Sequence, residues 1–186
     1  MRIFMDFEYT GLHQEASPIS IGLVSEDGRY FYGEFTDFEQ HQVTLWVQEN
    51  VINNLVLTRE RTDMRGYVRT GEYATHHNRV AVRDNGNGIL LALLSWFSEL
   101  NDTAEMWGDC LAYDWVLFCQ IFGGAFKIPP SIYYIPFDIC TLFKLKGIDP
   151  DISREEFAGL VGGGKKHNAL HDALVIKACY EKAMKQ

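Results

Sequence analysis

The sequence predicts an α/β domain in which a mixed sheet is flanked on both faces by helices. Three observations carry this expectation. The chain opens with three short segments of strand-like residues separated by turn residues. Helical apolar patterns then alternate with short extended segments up to the C-terminal end. Of the 186 residues 47% are apolar, which suffices for a substantial buried core.

The elements follow in order. Residues 2–8, RIFMDFE, read as the first strand, and residues 18–24, PISIGLV, as the second. Asp27–Gly28 is a hairpin turn signal, and RYFYGEF after it alternates as a third strand, so the domain begins as an antiparallel meander. In HQVTLWVQENVINNLVL, Leu45, Val47, Val51, Ile52 and Leu55 have helical spacing. Residues 59–88 are polar, with clustered arginines, and read as a loop or insertion beside a site, within one domain over 1–186. ILLALLSWFSEL, residues 89–100, is a strongly apolar helix, and AEMWGDC a short strand leaving for a turn. DWVLFCQIFGG predicts a helix stopped at Gly123–Gly124. PPSIYYIPFDI reads as loop plus strand, while CTLFKLKG fits either helix or strand. Residues 153–160 suit a small helix with Ser153 as N-cap and Glu156 at the capping-box position. GGGKK is a flexible loop, and a helix over about 169–184 follows it.

Charge and cysteine content narrow the function. There are 17 basic and 25 acidic residues, a net charge of −8. That balance disfavours a long groove for duplex DNA, whose affinity comes mainly from Lys and Arg on phosphates. A short nucleic-acid end held through metal ions remains open, since carboxylates gathered around cations add negative charge. Cys110, Cys119, Cys140 and Cys179 show no C-x-x-C spacing and read as reduced thiols of a cytosolic protein. The segment MRIFMDFEYT meets an acid at Asp6, which excludes a signal-peptide apolar region, and no apolar run approaches the ~20 residues of a membrane span.

Three constellations can carry chemistry. Residues two apart on a strand share a face, so Asp6 and Glu8 project together while Met5 and Phe7 point the other way. Two carboxylates within an apolar strand are costly without a cation, and no Lys or Arg lies near in sequence. A divalent metal ion would solve this, and two solvated acids at a strand end are the equal alternative. In the following TGL, Gly11 permits a close turn beside a ligand, and Leu12 offers an apolar wedge to a base. In WGDCLAYDWVLF, Asp109 suits a turn, and Asp114 suits either an N-cap or a metal ligand. Trp115 suits the core or a base-stacking surface. In HNALHDAL, His167 and Asp172 lie five residues apart, hence roughly 140° apart on one helix at ~100° per residue. They converge only if His167 stands on the glycine loop and Asp172 on the helix. His171 is the competing histidine.

Asp-x-Glu near the start, an aspartate opening a middle helix and His-x4-Asp near the end, in this order, resemble the DEDDh 3′–5′ exonucleases. These are the DnaQ-like group with a ribonuclease H-like fold. The W-G before the second motif and the W-V-x-E segment, Trp46–Glu49, are most similar to the mycobacterial-type 3′–5′ exoribonuclease-like branch. The resemblance spans residues 6–172. It implies a ribonuclease H-like α/β fold and two Mg²⁺ or Mn²⁺ ions held by Asp6, Glu8, Asp114 and Asp172. It implies His167 as general base and release of nucleoside 5′-monophosphates from a single-stranded 3′ end, with RNA favoured over DNA. Thr10, Gly11, Leu12 and Trp115 are then the substrate-contacting positions. A homodimer is compatible with the family and with Tyr133–Tyr134. The chain departs from the family pattern at Tyr9-Thr10-Gly11, where two threonines are common, at the bulky Phe7 between the acids, and at Asp109, where the branch often has Asn. A non-catalytic nucleic-acid-binding module and a phosphodiesterase of small nucleotides are the rival readings on the same fold.

Overall fold

The three N-terminal strands form the expected antiparallel meander in a computed structural model of the protein, which describes residues 1–57, 74–76, 79–161 and 166–186. They are β1 (Arg2–Tyr9), β2 (Pro18–Ser25) and β3 (Tyr30–Phe35). Gly28 makes the β2–β3 turn at φ +90°, in the left-handed region that a side chain would strain. The later elements are α1 (Leu45–Asn50), β4 (Ala74–His76), β5 (Arg79–Asp84), α2 (Gly86–Ser98) and β6 (Glu105–Gly108). After them come α3 (Ala112–Ile121), β7 (Phe137–Asp138), α4 (Ile139–Leu145), α5 (Arg154–Ala158) and α6 (Ala169–Ala183). Among the described residues the strands make one mixed sheet of seven, in the order β4-β5-β3-β2-β1-β6-β7. β1 pairs antiparallel with β2 and parallel with β6, and β3 pairs parallel with β5. This mixed sheet between helices is consistent with a ribonuclease H-like fold.

The alternation of β1 divides the core. Ile3, Met5 and Phe7 point to the face covered by α2 and α3, where they pack with Ile89, Leu93, Phe97 and Phe118. Phe4 points to the opposite face and packs with Ile139, Phe143, Ile176 and Tyr180 of α4 and α6. Each such side chain, fully buried, contributes ~1.5–3 kcal/mol. Asp6 and Glu8 continue the register of Phe4, so the strand itself directs both acids toward α6. Gly22 lies opposite Asp6 on β2. A Cβ there would stand 2.3 Å from the carbonyl oxygen of Ala169. This glycine therefore admits the first turn of α6 directly against the sheet, beside Asp6.

Several local expectations are corrected. The helix expected over residues 41–57 is broken: α1 has six residues, between 3-10 turns at Gln40–Gln42 and Ile52–Asn54. Part of the expected polar loop is sheet. β5 buries Val80, Ala81 and Val82, whose pattern was masked by the charged residues around it. α2 also begins earlier than residue 89, because Asn85 caps it by accepting the Gly88 N–H at 3.0 Å. CTLFKLKG belongs to a helix, α4, which Asp138 caps through the N–H groups of Cys140 and Thr141. The small helix α5 starts as expected at Ser153, which accepts the Glu156 N–H. Residues 59–73 and 77–78 of the expected insertion and 162–165 of the expected glycine loop lie outside the described residues. Among the described residues no helix is long and apolar enough to cross a membrane.

Candidate active site

β1 and α6 bring Asp6, Glu8 and Asp172 together, with a carboxylate oxygen of each within 4.8 Å of the others. Asp172 stands close enough to Glu8 that its charge disfavours ionisation of the Glu8 carboxyl. Asp114 enters from α3. It is the third residue of that helix and not its N-cap, a position taken by Leu111 without any side-chain cap bond. The pairing of β6 with β1 ends at Phe4, so the Phe7 N–H has no strand partner on that side. The Asp114 carboxylate accepts it. Asp114 Oδ1 remains buried with no hydrogen-bond partner.

The electrostatics of the four acids are those of an anionic cavity. Burial, reinforced by the charges of Asp172, Asp114 and Glu8, holds the Asp6 carboxyl well above the usual range. Burial and then Asp172 push Glu8 up to about 8. Burial pushes Asp114 up to about 7 against the opposing Phe7 N–H. Burial also raises Asp172, opposed by His171, His167 and the His167 N–H. Among the described residues no ion pair joins Lys, Arg or His to any of the four. Clustered, desolvated carboxylates and an orphaned carboxylate oxygen are a donor set for hard divalent cations such as Mg²⁺ or Mn²⁺.

His167 stands outside α6, in a bend before the cap residue Asn168, with φ +60°. Its backbone N–H donates to Asp172, and its ring meets the edge of Trp46 at 4.9 Å between centroids. The His-x4-Asp spacing thus straddles the helix boundary. The ring lines a cleft of about 300 Å³ with Asp6, Asp172, Asp109, Arg154 and Lys166. His171 faces Glu155, 3.6 Å from Nε2.

The other sequence candidates are placed differently. Thr10 is buried, and its hydroxyl donates to Gln42 Oε1 at 2.5 Å and accepts the Ser17 N–H at 2.9 Å. Its side chain secures the connection from β1 to β2. Gly11 leaves room for the His13 ring, which a Cβ would approach to 2.9 Å. Leu12 is 70% exposed beside the acidic strand end. Trp115 is half-buried against the core and stacks on Phe118 at 5.6 Å. Tyr134 is exposed, and Tyr133 less so.

Three contributors were not found from sequence. Trp46 buttresses His167. Asn168 caps α6 through the His171 N–H and also reaches the Tyr32 hydroxyl at 3.4 Å, so it ties the catalytic-side helix end to β3. Arg154 grips Asp109 through Nε at 2.7 Å and Nη2 at 2.9 Å, which makes Asp109 one half of an ion pair, not only a turn residue. An asparagine directly before a helix was a readable cap signal, whereas no pattern in the sequence connects positions 109 and 154.

The model of the 3′–5′ exoribonuclease Rv2179c-like domain matches residues 1–184. The 3′–5′ exoribonuclease Rv2179c of Mycobacterium tuberculosis (strain ATCC 25618 / H37Rv) is 28% identical over 152 residues, 79% of this chain and 76% of the relative. The 3′–5′ exoribonuclease MT2234.1 of M. tuberculosis (strain CDC 1551 / Oshkosh) matches to the same extent. With the family model covering nearly its whole length, the chain belongs to the Rv2179c-like 3′–5′ exoribonuclease domain family.

Proposed function

We propose that the protein is a metal-dependent 3′–5′ exoribonuclease that trims single-stranded RNA ends to nucleoside 5′-monophosphates. Asp6, Glu8, Asp114 and Asp172 hold two Mg²⁺ or Mn²⁺ ions, and His167 is the general base. The observation that carries this reading is the convergence of the acids of β1 and α6 within 4.8 Å, without a cationic partner among the described residues, beside a histidine on the loop before α6. The choice of RNA rests on the family and on the names of the M. tuberculosis relatives.

Hydrolysis of a phosphodiester must stabilise charge on the attacking and leaving oxygens, and divalent ions held by Asp6, Glu8, Asp114 and Asp172 would supply that Lewis acidity. The protein's own part is positional. β1 and α6 are rigid, and Gly22 fixes their separation, so Asp6, Glu8 and Asp172 are set before substrate arrives. Asp114 is held by the Phe7 N–H on one side and presents its free Oδ1 to the site. His167, on the loop before α6, takes the proton of the attacking water as general base. Trp46 sets the ring's orientation by edge contact. The exposed Leu12 and the half-buried Trp115 would supply apolar surface to a terminal base.

A ladder assay tests the proposal. RNA and DNA oligonucleotides labelled at the 5′ end are incubated with Mg²⁺, Mn²⁺ or EDTA, alongside a dinucleotide. The expected result is stepwise shortening of RNA from its 3′ end in either cation and none in EDTA. Binding without turnover in Mn²⁺ would favour a non-catalytic module, and hydrolysis of the dinucleotide alone a small-nucleotide phosphodiesterase.

A further inference from the structure

Beside the carboxylate site lies a second cluster, Asp109, Cys110 and Cys140, which the hydrolytic mechanism does not use. Cys110 ends the turn after β6, is exposed and has φ +51°. Cys140 belongs to the first turn of α4. The two sulfurs, thirty residues apart in sequence, are 3.7 Å from one another and unbonded. The Cys140 thiol donates to Asp109 Oδ1 at 3.0 Å, and Arg154 Nη2 donates to Cys140 Sγ at 3.1 Å. A thiophilic cation is disfavoured here, because the Arg154 guanidinium already occupies both oxygens of Asp109 and brings its own positive charge.

We propose that Cys110 and Cys140 are a redox modification site: oxidation by a hydroperoxide joins them in a reversible disulfide that inhibits the neighbouring nuclease centre. The sulfurs are close enough that side-chain rotation and a small shift of the exposed turn close the bond. The order of events follows from access. Cys110 is exposed, so its thiolate attacks the peroxide. The O–O bond breaks, the other oxygen leaves after taking up a proton, as water from hydrogen peroxide or as an alcohol from an organic hydroperoxide, and Cys110 becomes a sulfenic acid. Cys140 Sγ then attacks Cys110 Sγ, and the S–O bond breaks. The displaced hydroxide becomes water with the thiol proton, which Asp109 Oδ1 is placed to receive and pass on. Two thiols lose two electrons, and one hydroperoxide is reduced. Cys140 does not start the reaction. Burial and its bond to Asp109 push its thiol up to about 12, and it stays protonated until a partner sulfur is electrophilic.

The consequence for the site is geometric. Cys110 immediately precedes Leu111, the residue at the start of α3, and α3 carries Asp114. Leu111 is itself tied to Asp138, the cap of α4, through its N–H at 3.0 Å. Asp109 lines the same cleft as Asp6 and Asp172. Drawing Cys110 onto Cys140 removes the thiol from Asp109 and pulls on the turn that positions Asp114. This consequence, though not the disulfide itself, rests on the nuclease reading above.

The test treats the intact protein with a small excess of hydrogen peroxide and maps peptides without reduction. The expected result is a Cys110–Cys140 linked pair, lighter by about 2 Da than the two thiol peptides. RNA hydrolysis in Mn²⁺ falls about tenfold or more and returns with dithiothreitol. Cys110→Ser yields no linked pair and retains activity through the same treatment, with its activity before treatment equal to that of the parent. Cys140→Ser likewise forms no pair. Absence of the linked pair, or pairing with Cys119 or Cys179 instead, overturns the site. A complete Cys110–Cys140 bond with unchanged hydrolysis overturns the switch. If neither oxidised nor reduced protein degrades RNA, the nuclease reading has failed, and the peptide map still decides the disulfide.

Discussion

Removing divalent cations leaves the four carboxylates facing one another, and pH then sets how many remain ionised. Glu8 is held at about 8 in the fold against 4.5 in solution, and Asp114 at about 7 against 3.8. Between about pH 5.5 and 7, both groups are protonated in the folded chain and ionised in the unfolded one. The folded state therefore binds more protons, and its stability falls as pH rises, by ~1.4 kcal/mol per group per pH unit. Across that window the two groups amount to roughly 4 kcal/mol. In a domain of this size each kcal/mol moves Tm by ~2–4 °C, so the melting point in EDTA falls on the order of 10 °C. Asp6 and Asp172 are raised in the same direction and add to the slope. Bound cations replace the protons, so with saturating Mg²⁺ or Mn²⁺ the fall shrinks and the stabilisation by metal grows with pH. Scanning calorimetry at several pH values, with EDTA and with Mn²⁺, reads both curves. Glu8→Gln should remove that group's own ~1.4 kcal/mol per pH unit from the slope in EDTA. A melting point that stays level or rises from about pH 5.5 to 7 in EDTA, or falls equally with Mn²⁺, refutes this electrostatic account.

Other expectations follow from the same geometry. His167→Ala should lower kcat by about 10²–10⁴-fold while leaving Mn²⁺ binding intact by titration calorimetry, since the ring holds no cation in this account. Trp46→Ala should lower kcat by a smaller factor and leave the global melting point within about a degree, because the residue is 54% exposed and its ring neighbour at the site is His167. Gly22→Ala should cost about 1–3 kcal/mol in urea denaturation, because the new Cβ would lie 2.3–2.5 Å from the backbone of Ala169 and Leu170. The same variant should weaken metal binding, since α6 would have to move away from Asp6.

The parts of the fold legible in sequence were those whose periodicity is undisturbed. The N-terminal meander was readable from alternation, and α6 from its apolar spacing and the glycines before it. The same alternation showed that Asp6 and Glu8 share a face, and helical geometry placed His167 before the helix and Asp172 on it. β5 was missed because a central strand only six residues long is bracketed by Arg79, Arg83 and Asp84, so composition overrode the buried Val80-Ala81-Val82. α1 was overextended because the apolar residues of the following 3-10 turn continue helical spacing while the backbone tightens after Asn50. Thr10 was read as a substrate contact from its place beside the acids. Its hydroxyl bonds Gln42 and Ser17, partners 32 and seven residues away that no local pattern marks. The same holds for Arg154 on Asp109 and for Cys110 beside Cys140, pairs made only when α4 and α5 fold against the end of β6.

The central claim is that the acids of β1, α3 and α6 form one cation-dependent hydrolytic site. It is tested most directly by the rate of nucleoside 5′-monophosphate release from single-stranded RNA by the parent protein and by Asp172→Asn, each in Mn²⁺ and in EDTA. The predicted result is release by the parent in Mn²⁺ alone, with Asp172→Asn slower by about 10²–10³-fold or more, yet folded and no less stable than the parent in EDTA. Release by the parent in EDTA, or an undiminished rate in Asp172→Asn, would contradict it.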